Sequence, residues 1–435
     1  MANIFENNLI KYDQPDFERK FTEIRTAVLR ATHFDREKEG QLNSILDEVI
    51  KRGDEAISEF TEKFDGVKLR PEQFRISQEE LNEAHKKIDK KLLKSIRGAI
   101  KNVREYQSKI FTGKDKSFKS TGIRYTPIRR VGICVPGASA PLPSTVIMTA
   151  VPAQAAGVKE IAIVSPPRYN GSIHPVILAT CKELKINEVY RIGGAQAVMA
   201  LAKGTATIPN VDKIVGPGNA WVQMAKKKVL GLTGIDSIAG PSEVLIIADK
   251  TANPAWVAAD MLSQAEHNPG SAVLFTDSEK LANEVLIELE RQTKELSRSK
   301  ETIECLLKFS AIVVFETMQE IPQWADIFAA EHLEIQCGKK SRHIAAKIKN
   351  AGAIFIGDYS PVAAGDYWAG PSHTLPTGTS ARFFSALSAN DFIKSTSIIE
   401  YDKKRLAKAS DDITRLAEAE GLDAHARSVR IRQAK

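Results

Sequence analysis

The sequence predicts an α/β protein made of two similar units in tandem, with a helical segment before them and an extension after them. From about residue 124 short apolar runs of strand length alternate with helical stretches. Near residue 240 the same alternation begins again. Residues 17–110, by contrast, carry Lys, Glu and Leu at helical spacing and contain no strand-like run.

In the helical segment, Leu42, Ile45, Leu46, Val49 and Ile50 line one face, as do Leu92, Leu93, Ile96, Ile100 and Val103. Residues 125–137 read as short strands and turns. Strands follow at 160–164, 188–192 and 212–215, with helices at 176–184 and 195–202 between them. These strands are apolar throughout, as parallel strands covered on both faces must be. The second unit has strands at 243–248, 271–275, 311–315 and 352–357 and helices at 254–267 and 279–297. The helix over 254–267 has clear ends: Asn253 caps it, Pro254 suits its first position, and Asn268-Pro-Gly stops it. A last helix spans 401–420, and a basic tail starts at Arg427. The expected divisions are 1–123 (mostly helical), 124–239 (first α/β unit), 240–380 (second α/β unit) and 381–435 (extension).

At 435 residues the chain exceeds what a single core usually holds. Hydrophobic residues at 43% and charged residues at 26% describe a soluble globular protein. No apolar run reaches the ~20 residues of a membrane span, so no membrane is expected. The N-terminus lacks the basic and apolar segments of an export signal. The four cysteines form no CxxC pair, which excludes a disulfide framework and a thiolate zinc site and fits a reducing cytoplasm. The net charge is +7. Its lysine clusters at 86–87, 90–91, 226–228 and 339–340 have no aromatic residues between them, so they read as solvated helix faces, not as a nucleic-acid surface. A mildly basic surface favours an anionic dinucleotide.

Glycines gather beside the strands, in Gly193-Gly194-Ala-Gln196, Gly216-Pro-Gly-Asn219 and Gly240-Pro-Ser242-Glu. Loops at the carboxyl ends of such strands form the ligand crevice of open α/β sheets. Neither GxGxxG nor GxxxxGK[ST] is present, so the standard nucleotide fingerprints do not identify a cofactor. His33, His85, His174 and His343 have no ligand-like neighbours and read as structural. The other four histidines have polar companions: His267 with Gln264, His332 with Glu331, His373 with Asp366, and His425 with Glu420. Gln264 and His267, at i and i+3 on one helix face, would make half of a metal site. Nitrogen and oxygen donors without thiolate suit zinc, manganese or cobalt. Glu331 and His332 can serve as acid and base, although neighbouring residues point different ways and need not act on one proton. These residues support a metal-dependent enzyme or, failing that, a small-molecule binding protein of the same architecture.

Eight motifs in one order resemble the histidinol dehydrogenase family. They are 135–146, Gly-Gly-Ala-Gln-Ala (193–197), Val-Gly-Pro-Gly-Asn-Ala (215–220), Gly-Pro-Ser-Glu-Val-Leu (240–245), Ser-Gln-Ala-Glu-His (263–267), Glu-His-Leu-Glu (331–334), 365–377, and Glu-Gly-Leu-Asp-Ala-His (420–425). The resemblance implies two incomplete Rossmann-like domains with intertwined terminal extensions, in a homodimer with shared active sites. It implies oxidation of L-histidinol to L-histidine through the aldehyde, the last steps of histidine biosynthesis, using NAD and one Zn2+ per subunit. The zinc ligands would be Gln264, His267, Asp366 and His425, the last from the partner subunit. His332 would be the base and Glu331 would activate water. Ser242, His373 and Glu420 would hold the substrate together with Gln264, His267, His332, Asp366 and His425. Gln196 and Asn219 would contact NAD. A third contact is usually a Tyr before Val-Pro-Gly; Cys134 stands there, without the aromatic surface or the hydroxyl.

The nearest alternative is a sister dehydrogenase acting on another short polar alcohol, such as a sulfonated diol. Ser242, His373 and Glu420 together favour histidinol, because a glutamate facing an amino group has little use against an anionic sulfonate. A zinc hydrolase with Glu331 as base would leave the glycine loops without a purpose.

Overall fold

The computed structural model describes residues 3–31, 35–137, 141–267 and 269–433, with the backbone alone at 28–31. His33, Asn268 and part of the motif at 135–146 lie outside the described residues. The chain forms two compact units. One comprises Met1–Phe111 and Ile128–Phe392, the other Thr112–Pro127 and Ile393–Lys435.

The larger unit is mixed α/β with two parallel sheets. In the first, the spatial order is Glu188–Tyr190, Glu160–Val164, Arg130–Cys134, Lys213–Val215 and Gly234–Ile235. In the second it is Leu9–Lys11, Ala311–Val314, Gly270–Thr276, Ser242–Ala248, His332–Gln336 and Ala353–Ile356. Leaving out Leu9–Lys11, each sheet runs third, second, first, fourth, fifth in chain order. The winding therefore reverses between the first and fourth strands, where a crevice opens.

Alternation along the strands divides the cores. In the second sheet Val244, Ile246 and Leu274 pack on the helices Pro254–Ala265, Glu279–Thr293 and Ser299–Phe309. Leu245, Ile247, Val273, Leu333 and Ile335 face the opposite way, toward Phe17, Phe21, Ala325 and Phe328. In the first sheet Ala162, Val164 and Ile214 pack on the helices Arg36–Arg52, Gly194–Lys203 and Ala220–Val229. The N-terminal helices expected over 17–110 are present as Phe17–Ala31, Arg36–Arg52, Asp54–Asp65, Gln78–Lys87 and Lys90–Ile110.

Several local expectations need correction. The helix expected over 254–267 ends at Ala265, so His267 lies in the turn beyond it, its N–H bonded to the Gln264 carbonyl at 3.3 Å. The chain must reverse at once into the buried strand Gly270–Thr276, and Gly270 backs so closely on the Gln264 carbonyl that a Cβ there would collide with it. The strand His332–Gln336 was not foreseen, because His, Glu and Gln at alternate positions hide its apolar pattern. The strand Leu9–Lys11 was also missed: it is three residues long and pairs with Ile312 to Val314 from the far end of the unit. Lys226, read as part of a solvated face, is fully buried.

The smaller unit joins Ile393–Ile399, Thr121–Pro127 and Lys116–Phe118 in an antiparallel sheet, followed by the helices Lys403–Ala419 and Asp423–Arg430. The expected basic tail begins within that last helix, which ends at Arg430. No helix among the described residues is long and apolar enough to cross a membrane.

Candidate active site

A cleft of about 430 Å3 lies between the sheets of the larger unit. The first sheet contributes its carboxyl edge, with Cys134, Gly193, Gly194 and Pro217 to Asn219, as the crevice rule anticipates. The second sheet contributes its amino edge instead, with Ser242, Glu331 and His332 at or before the first residues of their strands. His267, Asp366 and His373 complete the wall.

Glu331 and His332 act as neighbours here, contrary to the expectation that they point apart. The Ser242 hydroxyl donates to Glu331 Oε2 at 2.6 Å, and the Glu243 N–H donates to the same oxygen at 2.9 Å. His332 Nδ1 lies 3.1 Å from the Glu243 carbonyl and 3.5 Å from Glu331 Oε2, while Nε2 is 3.6 Å from Asp366 Oδ1. A carbonyl only accepts, so Nδ1 carries the hydrogen and Nε2 is left to take up or release a proton toward the cleft. Nε2 is buried and has no hydrogen-bond partner. Burial opposes charge on this imidazole, yet Glu331 and Asp366 outweigh it and raise its pKa to about 9. Burial also raises Glu331, against the pull of His332 and Ser242. Glu243, absent from the predicted site although within a quoted motif, is pushed up to about 8 by burial and by repulsion from Glu331.

Gln264 is buried, and its Nε2 has no partner. Burial lowers the pKa of His267 and keeps the ring neutral; Asp366 stays ionised because the adjacent His332 overcomes the effect of burial. An unpartnered amide, a neutral imidazole and a carboxylate match the hard and borderline donors that zinc accepts. Among the described residues no three His, Cys, Asp or Glu side chains are grouped to hold an ion. The set predicted for zinc would not form such a group within this unit, because Gln264 is an amide and His425 belongs to the smaller unit. Glu420 and His425 are both exposed there.

On the opposite wall, Asn219 Oδ1 accepts from the Val222 N–H at 3.1 Å and caps the helix Ala220–Val229. Gln196 and Asn219 both border an adjoining cavity of about 720 Å3 that also includes Phe64, Arg168 and Trp221. Gln196 is buried with its Nε2 unpartnered. Gly216 has φ 103°, and a Cβ there would run into the Cys134 carbonyl, so this loop requires glycine. Both backbone polar atoms of Gly216 are held by one buried ion pair: its N–H donates to Asp236 Oδ2 at 2.7 Å, and its carbonyl accepts from Lys226 Nζ at 3.0 Å. Nothing in the triplet Lys226-Lys227-Lys228 distinguishes the buried member. Burial pushes the Cys134 thiol up to about 12, so it contributes only its surface to the cleft.

Residues 29–433 match the model of the histidinol dehydrogenase family. The chain is 47% identical to the histidinol dehydrogenase of Rhodopirellula baltica, over 90% of this chain and 86% of that one. It is 46% identical to the enzyme of that name from Synechococcus sp., over 91% and 92%. The crystal structure of histidinol dehydrogenase from Elizabethkingia anophelis superposes with a TM-score of 0.90 at 34% identity, covering 98% of both chains. With a match over nearly the whole length in sequence and in fold, the chain belongs to the histidinol dehydrogenase family and is an oxidoreductase.

Proposed function

We propose that this enzyme oxidises L-histidinol to L-histidine in the cytoplasm, passing two hydrides in turn to two NAD+. The observation that carries the reading is the convergence of Ser242, His267, Glu331, His332, Asp366 and His373 on one cleft faced by the glycine loops of the first sheet. The strand order of each sheet supports two incomplete Rossmann-like halves, with Gln196 and Asn219 on the NAD side.

Gln264, His267, Asp366 and His425 of the partner subunit would hold one Zn2+. When bound, the ion supplies a fixed point that orients the substrate through its imidazole and amino nitrogens. Ser242, His373 and the partner subunit's Glu420 complete the substrate's contacts. Were Asp366 engaged by the metal, it would hold a proton on His332 less strongly, and His332 would fall back toward the neutral form a base needs.

His332 Nε2 then takes the hydroxyl proton as hydride leaves the alcohol carbon for NAD+, giving aldehyde and NADH. Glu331 takes a proton from water as the water oxygen bonds to the aldehyde carbon, and the former carbonyl oxygen picks up a proton from solvent, giving the geminal diol. Once His332 has lost its first proton to solvent, it takes one from the diol as the second hydride departs, leaving the carboxylic acid, which ionises. The cleft keeps the reactive aldehyde between the two oxidations.

Sharing of the site between subunits is supported by the smaller unit, where Ile399, Leu416 and Ile431 are exposed, apolar surface of the kind a second copy covers. The test is NADH formation from L-histidinol by purified protein, before and after chelation and with zinc restored. Two NADH and one histidine per histidinol, lost on chelation and regained with zinc, are expected. NADH only from other short polar alcohols would point to a sister dehydrogenase, and turnover without NAD+ to a hydrolase.

A further inference from the structure

The strand His332–Gln336 is buried on both faces, but they differ in chemistry. Leu333 and Ile335 enter the apolar core; His332, Glu334 and Gln336 form a polar stripe on the other side. An acid and an amide in such a place are costly unless each is paired. Glu334 Oε1 accepts from the Val362 N–H at 2.7 Å, at the first residue of the helix Val362–Tyr367. Gln336 Nε2 donates to Glu334 Oε2 at 3.2 Å and to Asp260 Oδ2 at 2.7 Å. Gln336 thus bridges the Glu334 and Asp260 carboxyls, which lie close enough to influence each other. Burial and the charge of Asp260 favour the protonated form of Glu334, whose pKa rises to about 9.

The partners of Glu334 occupy informative places. Asp260 precedes Gln264 by one helical turn, and Val362 precedes Asp366 by one turn, so each shares a helix face with a proposed metal donor. We infer that Glu334 is a positioning residue, tied to Val362 on one side and, through Gln336, to Asp260 on the other, that fixes the separation of Asp366 from Gln264. The inference rests on the reading of those two residues as zinc donors.

The test is zinc binding to the full-length apo protein by competition with a chromogenic chelator, with apo thermal unfolding followed alongside. Glu334→Gln can still accept from Val362 and, like the protonated acid, places a neutral group beside Asp260, so its zinc affinity should stay within about threefold of the parent's. Glu334→Ala should bind zinc about ten- to a hundredfold more weakly while still unfolding cooperatively. Asp260→Ala cuts the same tie from its more accessible side and takes the place of E334A if that variant does not fold. Unchanged affinity in the alanine variants, with zinc lost in Asp366→Ala, would overturn the positioning role and leave the metal assignment standing. E334Q as weak as E334A would also overturn it, since the connection would then not be what matters. Equal zinc binding by the parent and D366A would instead remove the donor assignment itself.

Discussion

At the scale of the residue, the proposed chemistry turns on one nitrogen. The Glu243 carbonyl fixes the hydrogen of His332 on Nδ1 and leaves Nε2 facing the cleft without a partner. His332→Ala should lower kcat by about a hundred- to ten-thousandfold, the usual contribution of a general base, with zinc content unchanged. Rapid-mixing measurement of NADH beside metal analysis checks this, and undiminished turnover would remove His332 as the base. The proposed mechanism gives Glu331 a different duty. Glu331→Gln should still release the first NADH from histidinol but stall at the aldehyde, so that supplied histidinal is scarcely oxidised. Equal loss at both stages would mean that Glu331 serves His332 and not water. The polar companions of His267, His332, His373 and His425 were legible in the sequence. That Glu331 and His332 adjoin one another was not, because the backbone at the start of a strand decides the direction of both side chains.

At the scale of the element, the loop Gly216 to Asn219 shows how a buried charge pair can shape a surface. Lys226→Met should cost about 3–5 kcal/mol in denaturant unfolding, because Asp236 is left buried and unpaired. Joint replacement of Lys226 and Asp236 by apolar residues should recover much of that stability yet keep a raised KM for NAD+, since Gly216 would still lack its anchors. A normal KM in the double variant would separate the loop from the cofactor.

A second element-scale prediction concerns acid stability. The Arg97 hydrogen bond, against the effect of burial and with help from His85, holds Glu183 down at about 2 and joins three helices. A carboxylate with a depressed folded pKa stabilises the fold above its unfolded value of ~4.3, and that contribution is lost as pH falls toward 2. Glu183→Gln should therefore flatten the loss of stability between about pH 4.5 and 2. A curve parallel to the parent's would exclude this linkage. His85, with no ligand-like neighbour in sequence, finds its partner nearly a hundred residues away.

At the scale of the whole molecule, the proposed site needs residues from both units, and the family resemblance draws Glu420 and His425 from a second subunit. Co-expression of H332A with H425A tests that sharing. Each homodimer should be nearly inactive, whereas a mixed dimer contains one site with both histidines. About a quarter of parental activity should return, half of the dimers having one intact site of two. No recovery in purified mixed dimers would place His332 and His425 of each site on the same chain.

The sequence by itself determined the α/β alternation, the N-terminal helices, the cap at Asn253, and the motifs that identify the family. These are local properties: side-chain periodicity, turn chemistry and short-range hydrogen bonds act over a few residues. Tertiary structure alone decided that the second sheet meets the cleft with its amino edge, that the chain turns after Ala265 and not after His267, that Leu9–Lys11 closes the second sheet, and that Lys226 is buried. Each of these depends on partners far away in the chain. Their pairing is set by which surfaces exclude water together, and spacing along the sequence does not record that.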